Sequence, residues 1–175
     1  TDAVMLSGET ATGSFPARVV QVMAETAIGA ERHPTMSQSN YRVDQLFDDV
    51  NECIAMSTMY AANHQIGITA IVCLTESGRT ALLASRIASN LPIYGISRSL
   101  VTCRRMALYR GVTPLYFDVM SADDLWQEAL ELVARRGELK KGDRIVITGG
   151  DHTGEGGSTN SLKILQYTGQ GALFE

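Results

Sequence analysis

From residue 69 onward, short β-branched runs alternate with longer segments whose apolar residues recur every three or four positions. Thr69-Ala70-Ile71-Val72-Cys73-Leu74, Ile93-Tyr94-Gly95-Ile96-Ser97, Val112-Thr113-Pro114-Leu115-Tyr116-Phe117 and Arg144-Ile145-Val146-Ile147-Thr148 are bounded by Gly, Pro or polar clusters. They predict strands, and the segments between them predict helices over 77–89, 99–109 and 123–136. Ser121, with Asp124 three residues on, approximates a capping box ahead of the stripe Leu125, Ala129, Leu130 and Val133. Continuous apolar strands joined by helical crossovers imply a parallel sheet covered on both faces. The last run, 161–167, follows only a Gly-rich loop, and without a crossover helix it returns antiparallel to the strand before it. The reading is a doubly wound, mostly parallel five-stranded α/β sheet whose last strand is antiparallel.

The first part of the chain has a different pattern. Ala3-Val4-Met5-Leu6 reads as a short strand, and after the polar stretch Ser7 to Gly13 a helix is predicted over 16–30, with Val19, Val20, Met23 and Ala27 on one face and Pro16 in its first turn. A lone strand leaves both of its hydrogen-bonding edges open, so this strand-helix unit needs neighbours outside these residues. The chain therefore reads as the C-terminal piece of something larger. Residues 32–43, with Pro34, several hydroxyl residues and few apolar ones, read as a linker. A helix over 44–65 follows, with Leu46, Phe47, Val50, Ile54, Ser57 and Ala61 along its stripe and Gly67 as its stop.

Composition narrows the classes. At 175 residues, with 45% hydrophobic and 19% charged residues, the chain can build one well-cored domain with residues to spare. A net charge of -4 argues against duplex nucleic acid as a partner. No apolar run is long enough to span a membrane and the start lacks a basic leader, so the expectation is a cytoplasmic protein without membrane partners. Cys53, Cys73 and Cys103 lack metal-ligand spacing and read as reduced, buried thiols; no metal site is expected in this chain.

Two polar loops carry the candidate chemistry. The first, Thr75-Glu76-Ser77-Gly78-Arg79-Thr80, leaves the first strand of the sheet and opens a helix. Its amides and hydroxyls, with the charge of Arg79, suit an anion at a helix N-terminus. The second runs from Thr148 through Gly149, Gly150, Asp151, Gly154, Glu155, Gly156, Gly157 and Ser158 to Asn160, longer than a tight hairpin needs. Ligands of doubly wound sheets bind where the strand order reverses. With the order third, second, first, fourth, both loops leave from that reversal. Taken singly, Ser77 reads equally as a helix cap, Arg79 as solvated and the glycines as turn residues. Arg98 reads as a surface arginine, and Asp151 and Glu155 oppose a highly charged ligand. His33, His64 and His152 read as solvated or structural, Trp126 as a packing residue, and Met23, Met36, Met56, Met59 and Met106 as core filler.

Asp2-Ala3-Val4-Met5-Leu6-Ser7-Gly8-Glu9-Thr10-Ala11 closely resembles the last barrel strand and following helix of pyruvate kinases. Thr75-Glu76-Ser77-Gly78-Arg79-Thr80-Ala81, Tyr109-Arg110-Gly111-Val112-Thr113-Pro114 and Gly157-Ser158-Thr159-Asn160 resemble that family's C-terminal domain. The resemblance implies that residues 1–31 finish a (β/α)8 catalytic barrel and that 44–175 form an allosteric, effector-binding α/β domain. It implies a cytoplasmic glycolytic homotetramer that moves a phosphoryl group from phosphoenolpyruvate to ADP with Mg2+ and K+. Ser7 and Glu9 become neighbours of the barrel's catalytic face, while the main catalytic residues lie in segments absent here, so this chain alone is expected to be inactive and to bind no metal. Thr75, Ser77, Gly78, Arg79 and Thr80 inherit phosphate binding, with Gly149, Gly150, Gly154, Gly156, Gly157 and Ser158 as the effector loop. Thr12 stands where the family often has lysine. The Gly-rich loop lacks the aromatic and arginine residues of relatives that respond to fructose 1,6-bisphosphate, which points to a sugar monophosphate or AMP. The alternatives are a stand-alone, non-catalytic phosphosugar- or nucleotide-monophosphate-binding module and a ligand-free oligomerisation scaffold. The strand over 161–167 reads as an edge open to a symmetry mate.

Overall fold

The computed structural model describes residues 1–34, 44–118, 125–136, 139–150 and 159–169. Its centre is a five-stranded sheet built from β1 (Ile68–Leu74), β2 (Ile93–Ser97), β3 (Val112–Tyr116), β4 (Arg144–Gly149) and β5 (Ser161–Gln166). The strand order is β3-β2-β1-β4-β5. β1 pairs parallel with both β2 and β4, β2 pairs parallel with β3, and only β4 and β5 run antiparallel. Both the order and the antiparallel return agree with the sequence pattern. Pro114 lies in β3, where a missing amide costs least, because β3 is an edge.

Alternation along β1 sends its side chains into two separate cores. Ile71 and Cys73 join Met56, Met59, Ala81, Ala84, Met106 and Val146, under α3 (Val50–His64), α4 (Arg79–Ser85) and α5 (Leu100–Met106). Ala70 and Val72 join Tyr94, Ile96, Leu115, Ile145, Ile147 and Leu165, under α6 (Leu125–Ala134), which contributes Ala129, Leu130 and Val133. Ile71, Val72, Ile145 and Ile147 are all fully enclosed. Each such aliphatic side chain gains about 1.5–3 kcal/mol from leaving water, which is why the strands read as unbroken apolar runs.

Local signals explain the helix starts. The Ser99 hydroxyl accepts from Thr102 N at 3.2 Å and caps α5. The Asp49 carboxylate accepts from Asn51 N at 2.8 Å and caps α3, so this helix starts later than residue 44. Its buried face is Asn51, Ala55, Met56, Thr58, Met59 and Ala62, a rotation of one position from the expected stripe. Val50 is exposed on the opposite side, and Leu46, which precedes the helix, is exposed as well. The same rotation turns Cys53 outward, against the expectation of a buried thiol, while Cys73 and Cys103 are buried as expected. The predicted caps Ser121 and Asp124, and most of the linker, lie outside the described residues.

The N-terminal segment carries α1 (Gly8–Ala11) and α2 (Pro16–Glu31). The helix over 16–30 is present with Pro16 in its first turn, but no α2 residue is fully buried. The strand expected at residues 3–6 does not form, since no strand among the described residues stands alongside to take its hydrogen bonds. Instead Asp2 anchors this segment to the sheet unit. Its carboxylate lies 2.7 Å from Arg86 Nη2 and accepts from Arg110 N at 2.8 Å. The Arg86 hydrogen bond, then that of Arg110, holds the Asp2 carboxyl below the usual carboxylate range. Among the described residues no helix is long and apolar enough to cross a membrane.

Trp126, the sole tryptophan, packs edge-on against Gly149 at the end of β4. A Cβ at position 149 would lie 2.8 Å from Trp126 Cη2 and 3.4 Å from Leu74 Cδ1. Lys163 Nζ sits 4.6 Å from the centre of the same ring. Gly149→Ala is expected to shift the Trp126 emission and to lower stability in urea by about 1–3 kcal/mol, the usual cost of overpacking. An unchanged spectrum and midpoint would show that Trp126 does not rest on Gly149. Burial pushes the Cys73 thiol up to about 12, and a thiol held protonated is unreactive. Native labelling with iodoacetamide at neutral pH is therefore expected to give one adduct, at Cys53, and labelling in urea three; mass spectrometry of the intact chain counts them.

Candidate functional site

The sheet order places a reversal between β1 and β4, and the chain leaves the carboxyl ends of both strands there. After β1, Thr75 N still donates to Ile96 O at 3.0 Å, so the ladder runs one residue past the strand. The chain then turns sharply. Thr75 Oγ1 accepts from Gly78 N at 3.0 Å, and Ser77 Oγ accepts a longer bond, 3.4 Å, from Arg79 N. The Glu76 carbonyl accepts from Thr102 Oγ1 at 2.7 Å, which ties the turn to α5. Gly78 has φ +82°, and a Cβ there would meet Met106 Cγ at 3.1 Å. Only glycine fits that close, left-handed position.

Gly78, rather than Ser77, is the N-cap of α4, and α4 ends at Ser85, shorter than the predicted 77–89. Helix and the root of the loop are joined across the reversal by a buried contact. Thr80 Oγ1 lies 2.9 Å from Thr159 Oγ1, with both residues buried. Thr159 is the first described residue after the Gly-rich loop, and next to it Asn160 N donates to Gly149 O at 3.1 Å, which closes the loop at its base. The structure thus joins the turn of Thr75, Gly78 and Thr80 to the root of the second loop through Thr159 and Asn160, the latter bonded to Gly149, with Gly150 next in the chain. Ser77 and Arg79 face solvent from the same turn. Gly154, Gly156, Gly157 and Ser158 lie outside the described residues.

The charges are arranged differently from a simple cationic spot. The Arg79 guanidinium is in direct contact with the Asp49 carboxylate at the N-cap of α3, and Glu52 Oε1 lies 3.9 Å away. Arg98 is no solitary surface residue, since its Nε lies 2.7 Å from Glu76 Oε1. Two guanidinium groups therefore face three carboxylates around this turn. Asn51, through its side chain and amide, and then Arg79 hold the Asp49 carboxyl below the usual range. Thr159, Thr102, Asp49 and Glu52 were not singled out from sequence as site residues. The pattern Asp49 with Glu52 three residues on, ahead of a helical stripe, is the signal that finds the last two.

Ser7 and Glu9 stand apart from this constellation, at the start of α1. Glu9 Oε1 accepts from Ser7 N at 3.1 Å, and this bond holds the exposed carboxyl below its ordinary range. His64 is structural, with Nδ1 2.9 Å from Tyr60 O and its ring stacked on Tyr60 at 4.2 Å. Among the described residues no group of three or more His, Cys, Asp or Glu side chains is placed to hold a metal ion.

Comparison with known proteins places this geometry in a family. The family model for the pyruvate kinase alpha/beta domain matches residues 52–165. The chain is 52% identical over 167 residues to pyruvate kinase II of Salmonella typhimurium, covering 94% of this chain and 35% of that protein. It is 49% identical over 166 residues to the pyruvate kinase of Buchnera aphidicola subsp. Acyrthosiphon pisum, again 94% and 35%. To the Geobacillus stearothermophilus pyruvate kinase it is 34% identical over 169 residues, 94% of this chain and 28% of the relative. The chain spans about a third of the length of the first of these curated relatives. With the domain matched from within α3 to within β5 and such identities over nearly its whole length, the chain belongs to the pyruvate kinase family.

Proposed function

We propose that the full-length protein is a pyruvate kinase of glycolysis, transferring a phosphoryl group from phosphoenolpyruvate to ADP to give pyruvate and ATP. In this reading residues 1–31 complete a catalytic (β/α)8 barrel, 32–43 link, and 44–175 form the allosteric domain. The relatives' names support the activity. Charge in transit between donor and acceptor is stabilised by metal ions and positioned cations, and Mg2+ and K+ supply that chemistry in the full enzyme. In this reading the metals and the main catalytic groups are assigned to the part of the protein outside this chain. Ser7 and Glu9 stand as barrel-top neighbours, and the isolated chain is inactive.

The effector site is proposed at the reversal, with Thr75, Ser77, Gly78, Arg79 and Thr80 receiving the phosphate and the Gly-rich loop covering it. The Thr80 to Thr159 hydroxyl bond carries this reading, because it joins the two loops across the gap between β1 and β4. Hydroxyls of Thr75 and Ser77 already occupy the amides of Gly78 and Arg79, the same donors a phosphate oxygen would use. Three carboxylates around two arginines favour one phosphate over two, hence a sugar monophosphate or AMP rather than fructose 1,6-bisphosphate. The protein is assigned to the cytoplasm, without nucleic-acid or membrane partners, as a homotetramer. Among the described residues β5 is the last strand of the sheet, the edge at which a symmetry mate would pair.

An effector shifts activity only through differential contacts with two quaternary arrangements. Arg79→Ala in the full-length protein is expected to move activation by ribose 5-phosphate or AMP to at least about fivefold higher concentration, from loss of a charge-assisted contact, while saturated turnover stays near its original value. Steady-state kinetics against effector concentration test this. An activation curve that does not move removes Arg79 from the site.

A further inference from the structure

We propose that Asp49 is a specificity-determining residue of the effector site: it competes with the ligand's phosphate for Arg79 and so tunes the site against ligands carrying more than one phosphate. This deepens the effector-site reading above and rests on it.

The cation expected to greet the ligand is already engaged. Arg79 is the first residue of α4, and its guanidinium reaches across to α3, where it contacts Asp49 and lies 3.9 Å from Glu52. The carboxylate partner is the fixed member of this pair. Asp49 accepts from Asn51 N at 2.8 Å and from Asn51 Nδ2 at 3.1 Å, so its position is set by the cap of α3 and not by Arg79. The arginine is the mobile member, with a long stem and a side chain 51% exposed. A phosphoester entering the turn must therefore draw Arg79 away from Asp49 or share it.

Electrostatics then decides which ligands succeed. Asp49 is one-third exposed, so the pair is screened and weak enough to open. A monophosphate can take Arg79, and the turn's amides by displacing the Thr75 and Ser77 hydroxyls, while leaving Asp49 and Glu52 to water. A second phosphate finds these two carboxylates, and Glu76 is held beside the same turn by Arg98. Like charges brought together at such distances repel, so the penalty grows with ligand charge.

Asp49→Asn isolates this effect, because asparagine caps a helix as well as aspartate but carries no charge. Binding to the full-length variant is measured by calorimetry with AMP, ribose 5-phosphate, glucose 6-phosphate and fructose 1,6-bisphosphate. The expected result is monophosphate affinity raised about twofold to fivefold, the range an exposed ion pair spans, with a larger factor for the bisphosphate. In an Arg79→Ala background the gain for monophosphates should vanish, since non-additivity is the mark of a shared partner. Glu52→Gln gives the same direction with a smaller factor and leaves the cap of α3 untouched, which covers any loss of folding in Asp49→Asn. If Arg79→Ala weakens binding while Asp49→Asn and Glu52→Gln leave affinities and the ligand order unchanged, the competition is overturned and the site stands. If the ligands bind the unsubstituted protein but Arg79→Ala also changes nothing, Arg79 leaves the site and this inference falls with it; if none of them binds, the effector-site reading itself falls.

Discussion

The parallel pairing of β1 with neighbours on both sides governs the rest of the structure. A parallel neighbour cannot be reached by a tight turn, so each pairing obliges the chain to cross over with a helix. Two crossovers run from β1 to β2 and β3, and the return to β4 then has to lie on the other side of β1. That change of direction opens a gap at the carboxyl ends of β1 and β4, and the sheet's own hydrogen bonds cannot fill it. Whatever stands there must be loop, and loop amides need partners. Thr75 and Ser77 meet that need for the amides of Gly78 and Arg79, and Thr102 donates to the Glu76 carbonyl of the same turn.

The sheet was legible in the sequence because burial on both faces leaves an unambiguous mark. Ile71, Val72, Ile145, Val146 and Ile147 have no polar alternation to confuse the period, and their β-branched shape excludes a helix of that length. The antiparallel β5 followed from the absence of a crossover. Helix α6 was equally plain, since Ala129, Leu130 and Val133 keep their spacing on the buried side. Helix α3 was not. Its apolar residues occur on more than one face, and packing buries the face of Ala55, Met59 and Ala62 and leaves Val50 outside. Sequence periodicity finds an apolar face, and where two overlap only the neighbouring elements decide which is buried.

At the site the turn was visible and its electrostatics were not. Gly78 announces a left-handed position, and hydroxyl residues flanking it announce amide partners. The pairing of Arg79 with Asp49 spans 30 positions in sequence, and that of Arg98 with Glu76 depends on how β2 and the turn lie side by side. No local pattern encodes either. The strand foreseen at residues 3–6 failed for the complementary reason. Its sequence is apolar enough, but a strand is a relation between segments, and none of the described segments stands beside it.

Helix α4 has only seven residues, about 10 Å at the helical rise per residue. Arg79 at its start is bound to Asp49 on α3, and Arg86 just past its end is bound to Asp2 in the N-terminal segment. The two ends of this short helix are thus fixed by ion pairs to different parts of the chain. The turn after β1 and the segment leading into Ser7 are in this way tied to one helix, whose Ala81 and Ala84 are buried in the core beneath it.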